Sequence, residues 1–152
     1  MSVRAGHGQR MTRLVVFCCM SSSHRPRAAR VLLIDDEPSI RIVYPEILRS
    51  DYEVDVAASG REGLQVLSER KDYDAIICDL AMPDLDGPEF HAQLRAMAPH
   101  LLERIVFYSG GLVTPRMRAF VASIPNQFLE KPIAIEVLCA AIERVRARPP
   151  AA

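Results

Sequence analysis

Residues Ala75 to Cys78 are apolar at every position and run straight onto a lone carboxylate, Asp79. A strand with one wet face alternates apolar and polar side chains. A run with no polar member fits a strand covered on both faces, as in a parallel sheet lying between two layers of helices. The β-branched Ile76 and Ile77 favour extended backbone over a short buried helix. Pro83, Asp86 and Gly87 then supply turn chemistry just past the strand's end. Ligands of open parallel sheets gather at the carboxyl ends of the strands, so Asp79 stands where a reactive group would, although a strand-end aspartate taken alone is more often merely solvated.

The same pattern recurs along the chain. Val31 to Ile34 is a short apolar run ending on Asp35, Asp36 and Glu37, with Pro38 suited to the first turn of a helix. Ile40, Val43, Tyr44, Ile47 and Leu48 follow at helical spacing and predict one inward face, while Pro45 within them predicts a kink or a disturbed turn. Tyr52 to Ala57 reads as a more polar strand toward an edge of the sheet, and Arg61 to Arg70 as a short helix with Leu64 and Leu67 inward. Phe90, Leu94 and Met97 mark a third helix, stopped by Pro99. Ile105 to Tyr108 is another fully apolar strand, ending on Ser109-Gly110-Gly111. Thr114 and Pro115 open a fourth helix whose buried side is expected at Met117, Phe120 and Val121. Gln127 to Glu130 forms the last strand, ending on Lys131-Pro132, and Leu138, Ala141, Ile142 and Val145 give the last helix its inner face. Strands alternating with helices imply an α/β fold, a parallel sheet with helices on both faces.

At 152 residues the chain suits one domain with a proper core. Its formal charge is zero but unevenly spread: the first 30 residues hold six arginines and no acid, leaving 13 of the 19 basic residues against all 19 acidic ones, a net of −6. A body of that sign makes a poor nucleic-acid binder and suits a cation-binding acidic site. Residues 1–28 read as a disordered basic leader, 29–148 as the domain and 149–152 as a disordered tail, with no output domain of its own. Leu14 to Met20 is far below the roughly 18 apolar residues that a membrane span needs. Cys18 and Cys19 are adjacent, Cys78 and Cys139 fall on a strand and a helix, and no metal-ligand spacing links them. Free thiols in a reducing cytoplasm follow from that usage. His7, His24, His91 and His100 sit in no motif and read as solvated surface.

The residues that end the strands converge on one edge of the sheet: Asp35 and Asp36, then Asp79, Ser109 and Lys131. Crowded carboxylates repel one another unless a cation sits among them. A hard, oxygen-lined site with few protein ligands suits Mg²⁺ completed by water. One hydroxyl and one ammonium beside such an ion are what a phosphoryl group needs, since its transfer is mostly positioning and charge neutralisation. Lys131 and Lys71 are the only lysines beside 17 arginines, which favours a compact ammonium chosen for its place.

Taken together, Leu32 to Pro38, Cys78 to Gly87, Phe107 to Gly111 and Leu129 to Pro132 resemble the receiver domains of bacterial two-component response regulators. The resemblance covers about Ala29 to Arg148, and the stretch from Phe107 to Pro132 is most similar to receivers appended to hybrid histidine kinases. It implies a flavodoxin-like, three-layer fold with strand order 2-1-3-4-5. It further implies that Asp79 is the phosphoacceptor, that Asp36, Asp79 and the Ala81 backbone carbonyl bind Mg²⁺, and that Asp35 acts largely through water. Lys131 would pair with the phosphoryl oxygens, Ser109 would accept them, and Phe128 would be the aromatic switch, read by rotamer and burial because it lacks a hydroxyl. A cis Lys131-Pro132 bond is implied as well. The implied donor is a sensor histidine kinase or a phosphotransfer protein. The implied output is contact with a downstream protein through the fourth helix, fifth strand and fifth helix, as a monomer or a weak phosphorylation-dependent dimer without nucleic acid or membrane.

The chain departs from that family at Ala81 and Gly111, small where larger polar residues are frequent, and at Ile133, where Phe is frequent. Two other readings share these residues. A pseudo-receiver would be an interaction module with a dead site, and such modules typically lose the acceptor, the metal acids or the lysine, all of which are kept here. An aspartyl-phosphate phosphatase resembling the haloacid dehalogenase family would need a second Asp two residues after Asp79, where this chain has Ala81. A flavin-binding fold of similar topology is disfavoured because Asp35, Asp36 and Glu37 would repel a phosphate after the first strand.

Overall fold

The computed structural model describes residues 27–112 and 114–149. Most of the expected basic leader, with Cys18, Cys19, His7 and His24, lies outside the described residues. The elements run in the order β1 (Ala29–Ile34), α1 (Pro38–Leu48), β2 (Tyr52–Ala57), α2 (Gly60–Glu69), β3 (Ala75–Asp79), α3 (Gly87–Met97), β4 (Ile105–Ser109), α4 (Pro115–Ser123), β5 (Gln127–Glu130) and α5 (Ile135–Arg146). All four strand pairings are parallel and the order is β2-β1-β3-β4-β5, a flavodoxin-like α/β sandwich. A 3-10 segment, Pro99–Arg104, fills the passage from α3 to β4 and had no signal beyond its opening proline.

The apolar runs are explained by parity. Side chains alternate across a strand. Leu32, Ile34, Ile76, Cys78, Ile105 and Phe107 therefore face one layer, closed by Leu67, Phe90 and Leu94 of α2 and α3. Val31, Leu33, Ala75, Ile77, Val106 and Tyr108 face the other, closed by Leu48 of α1 and Leu138, Ala141, Ile142 and Val145 of α5. Because β1, β3 and β4 are covered on both faces, neither parity can be polar.

Three helix faces differ from the pattern expected of them. Leu48 alone of the α1 residues is buried, while Val43 and Ile47 are 47% and 49% exposed. The helix lies beside the edge strand β2, where the sheet ends and leaves its outer flank uncovered. Pro45 ends no helix, since α1 continues to Leu48 and the Pro45 carbonyl accepts the Arg49 amide at 3.0 Å. On α4, Met117, Phe120 and Val121 are half-buried and no residue is fully so, because that helix covers the other edge, where β5 is itself half-exposed. His91, expected at the surface, is 5% exposed on α3 and packs edge-on against Phe120 at 5.3 Å. Burial, with Arg95 nearby, lowers its pKa and keeps the ring neutral.

The turn after β3 is built by close approach. The Gly87 amide donates to the Leu80 carbonyl at 3.0 Å, and Asp86 caps α3 reciprocally with Glu89. A Cβ on Gly87 would stand 2.4 Å from Leu80 Cδ2 and 3.0 Å from its Cα. Helix propensity alone would favour alanine by about 1 kcal/mol, but backbone cannot yield as a flexible side chain does. Gly87→Ala is expected to lower unfolding stability by about 1–3 kcal/mol in urea titration, and an unchanged or raised midpoint would show that the turn is not tightly packed.

Candidate functional site

Hydrogen bonds between neighbouring strands continue one residue beyond the strands and thereby hold the site's backbone. The Asp35 amide donates to the Ala57 carbonyl at 3.1 Å, Leu80 to Tyr108 at 3.0 Å, and Lys131 to Ser109 at 2.8 Å. Each site residue leaves the sheet from a fixed place. Lys131 precedes a cis Pro132, as the resemblance implied.

Asp35, Asp36 and Asp79 each offer a carboxylate oxygen, all within 4.8 Å of one another. Asp35 is fully buried, Asp79 is 6% exposed and Asp36 faces solvent. Lys131 Nζ donates to Asp35 Oδ2 and to Asp79 Oδ2, both at 2.9 Å. Asp79 Oδ1 accepts the Ala81 amide at 3.0 Å, and Asp35 Oδ1 accepts the Glu37 amide at 2.7 Å. Burial alone would lower the Lys131 pKa, yet its hydrogen bonds to Asp79 and Asp35 overcome that penalty and leave it raised. The ammonium is therefore a permanent charge of the site.

Ser109 lies 2% exposed at the end of β4, and its hydroxyl donates within its own turn, to the Gly111 carbonyl at 3.2 Å. Gly111 has φ 154°, a conformation that favours glycine. Phe128 is half-buried on β5, paired in register with Phe107 and packed on the α2–α3 layer. Cys78 is fully buried, and burial followed by the Asp79 and Asp35 carboxylates pushes its thiol well above the usual range. It is a small core residue beside the site, not an accessible thiolate.

Two site residues had no functional reading in the sequence. Tyr108 was counted only as part of an apolar strand, yet its hydroxyl donates to Asp35 Oδ2 and its ring lies under Lys131, with Nζ 4.5 Å from the centroid. Burial, with Asp35 beside it, raises the phenol far above its ordinary pKa and keeps it a donor. The available signal was the polar handle of a tyrosine one residue before Ser109, since a buried phenol needs a partner. Arg41, on the first turns of α1, donates to the Asp35 carbonyl at 2.8 Å and braces the same residue from behind.

A flavodoxin-like domain with carboxylates and one lysine gathered at the carboxyl ends of its strands is the class that fold and site define. The chain belongs to the response regulator receiver domain family of two-component systems, which matches residues 31–143. It is 32% identical to the sensor kinase CckA of Brucella abortus over 120 residues, covering 78% of this chain and 12% of the kinase. Among solved structures, chemotaxis protein CheY4 of Vibrio cholerae is 31% identical with a TM-score of 0.67, covering 77% of this chain and 98% of that one. The receiver domain of a sensor histidine kinase from Pseudomonas aeruginosa, solved with a magnesium ion coordinated in its active site cleft, is 25% identical with a TM-score of 0.69, covering 80% and 99%. The chain spans only 12–47% of the length of the curated relatives it matches. Among the described residues, no helix is long and apolar enough to cross a membrane.

Lys131 neutralises a wholly buried carboxylate, so its removal should be felt in stability. Lys131→Met is expected to lose about 2 kcal/mol at pH 7, below the usual range for a broken buried pair because Asp35 keeps Tyr108 and the Glu37 amide. A group whose folded pKa is raised contributes fully below its unfolded value and loses that contribution as pH climbs through the folded one. The gap between the two proteins in urea titration should hold from pH 7 to about 10 and close at higher pH. Equal stabilities at pH 7 would contradict the assignment of Lys131 as the neutralising charge.

Proposed function

We propose that this domain is a phosphoryl-accepting switch in a two-component phosphorelay, with Asp79 as acceptor and a sensor histidine kinase or phosphotransfer protein as donor. The observation that carries this reading is the placement of Lys131 Nζ at 2.9 Å from both Asp79 and Asp35, beside the exposed Asp36. An Asp79 carboxylate oxygen attacks the phosphorus of a phosphohistidine; the P–O bond forms, the P–N bond breaks, and the imidazole leaves with the electron pair and takes up a proton. The product is an acyl phosphate. Lys131 then turns from Asp35 to the new phosphoryl oxygens, where an ammonium in a half-buried site offsets the added charge.

The donor set fits Mg²⁺: hard carboxylate oxygens, one of them on a residue exposed to water. Asp36, Asp79 and the Ala81 carbonyl would hold the ion directly, with Asp35 acting largely through water. When bound, Mg²⁺ supplies neutralisation of the phosphoryl oxygens. Ser109 is the hydroxyl that moves to the phosphoryl group, exchanging its bond to the Gly111 carbonyl for one to a phosphoryl oxygen. Phe128, half-buried on β5, registers that movement by changing its burial, and the surface of α4, β5 and α5 presents the change to a downstream protein. The relation to kinase-linked receivers supports a cytoplasmic role within such a system, without catalytic turnover beyond self-dephosphorylation.

The test is intact-protein mass after incubation with phosphoramidate and Mg²⁺. A metal-dependent gain of about 80 Da, absent in Asp79→Ala, is expected. No gain in folded protein that binds Mg²⁺ would refute the acceptor assignment.

A further inference from the structure

Tyr108 occupies a place in the site that the phosphoryl-transfer reading leaves without a task. It stands one residue before Ser109 on β4, so by parity its side chain leaves the sheet toward the α1–α5 layer, beneath the carboxylates. It is fully buried. Its hydroxyl and the Lys131 ammonium both donate to Asp35 Oδ2, and its ring faces that same ammonium at 4.5 Å. Asp35 Oδ1 is engaged by the Glu37 amide. A carboxylate oxygen has two lone pairs, and Oδ2 of Asp35 has given both to protein donors. Asp35 Oδ1 keeps one lone pair, whereas both oxygens of Asp79 do, each having a single protein donor.

We infer that Tyr108 is a positioning residue that ties Asp35 to Lys131, withholding Asp35 Oδ2 from the bound cation and keeping the ammonium beside Asp79. The inference rests on Asp79 being the phosphoacceptor. Hydrogen bonds to an ionised carboxylate are short and strong, and the ring adds a cation–π attraction that holds Nζ over it. Together they make the two halves of the site unequal: Asp35 commits Oδ2 to the phenol and the lysine and has only Oδ1 left for the ion or its water, while Asp79 has a lone pair on either oxygen.

Tyr108→Phe deletes the hydroxyl and keeps the ring, its volume and its attraction for Lys131. Asp35 Oδ2 then recovers a lone pair and turns toward the cation, so Mg²⁺ should bind several-fold to about tenfold tighter by titration calorimetry. Drawn away, Asp35 no longer holds the ammonium in line, and the phosphoramidate reaction at saturating Mg²⁺ should slow about tenfold. These opposite movements distinguish positioning from support of the fold, which would weaken both. Any other pattern, including two unchanged values or two that fall together, overturns the inference. If wild-type Asp79 takes up no phosphoryl group, the acceptor reading fails separately, and the Mg²⁺ affinity alone decides the role of Tyr108. Should the variant not fold, NMR of the wild-type protein gives the answer. The Tyr108 hydroxyl proton should remain slow to exchange after Mg²⁺ is saturating, and its loss on adding the ion would overturn the withholding of Oδ2.

Discussion

Two carboxylates held together at the end of a buried sheet repel each other unless a cation stands between them, and Lys131 is that cation. Its two bonds of 2.9 Å, to Asp35 and Asp79, join the first, third and fifth strands across the site. The neutralisation is available only because each residue's backbone is already fixed by ladder bonds running past the strand ends. Sheet order does the rest: β1 and β3 are direct neighbours, whereas β5 is reached through β4. A long, flexible side chain is therefore what spans from β5 to the acids, and a lysine has both the reach and the compact charge.

The two layers contribute differently. The α2–α3 side buries Cys78, Leu80 and Phe107 and carries Phe128 at its margin. The α1–α5 side places Tyr108 beneath Asp35, and Arg41 of α1 holds the Asp35 carbonyl. Asp35 is thus gripped by backbone, phenol, guanidinium and ammonium, while Asp36, one residue later, faces solvent. Neighbours in sequence divide into a held acid and an exposed one because the ladder bonds run one residue past β1, to Asp35, and Asp36 follows them.

Much of this was legible in the sequence. Fully apolar runs at Val31–Ile34, Ala75–Cys78 and Ile105–Tyr108 can exist only where both faces are covered, and the residues ending them are brought together by parallel topology alone. The inner face of α5 was readable because it crosses the middle of the sheet. The faces of α1 and α4 were not, since periodicity reports which side is apolar and says nothing of whether the sheet extends far enough to cover it. Val43 and Ile47 have helical spacing and still stand exposed at an edge. His91 escaped for the opposite reason, as one polar residue packed between Phe107 and Phe120 from distant segments. Tyr108 was hidden by its company: an aromatic in an apolar strand reads as core, and only the position of Asp35 reveals what its hydroxyl does.

The proposed switch depends most on Lys131 leaving Asp35 for a phosphoryl group on Asp79. A crystal structure of the protein with Mg²⁺ and trifluoroberyllate, a phosphoryl mimic that bonds to carboxylates, tests it directly. The predicted result is a beryllium adduct on Asp79, Lys131 Nζ bonded to fluoride, and Tyr108 still donating to Asp35. An adduct on another residue, or one on Asp79 with Lys131 still bridging the two carboxylates, would contradict it.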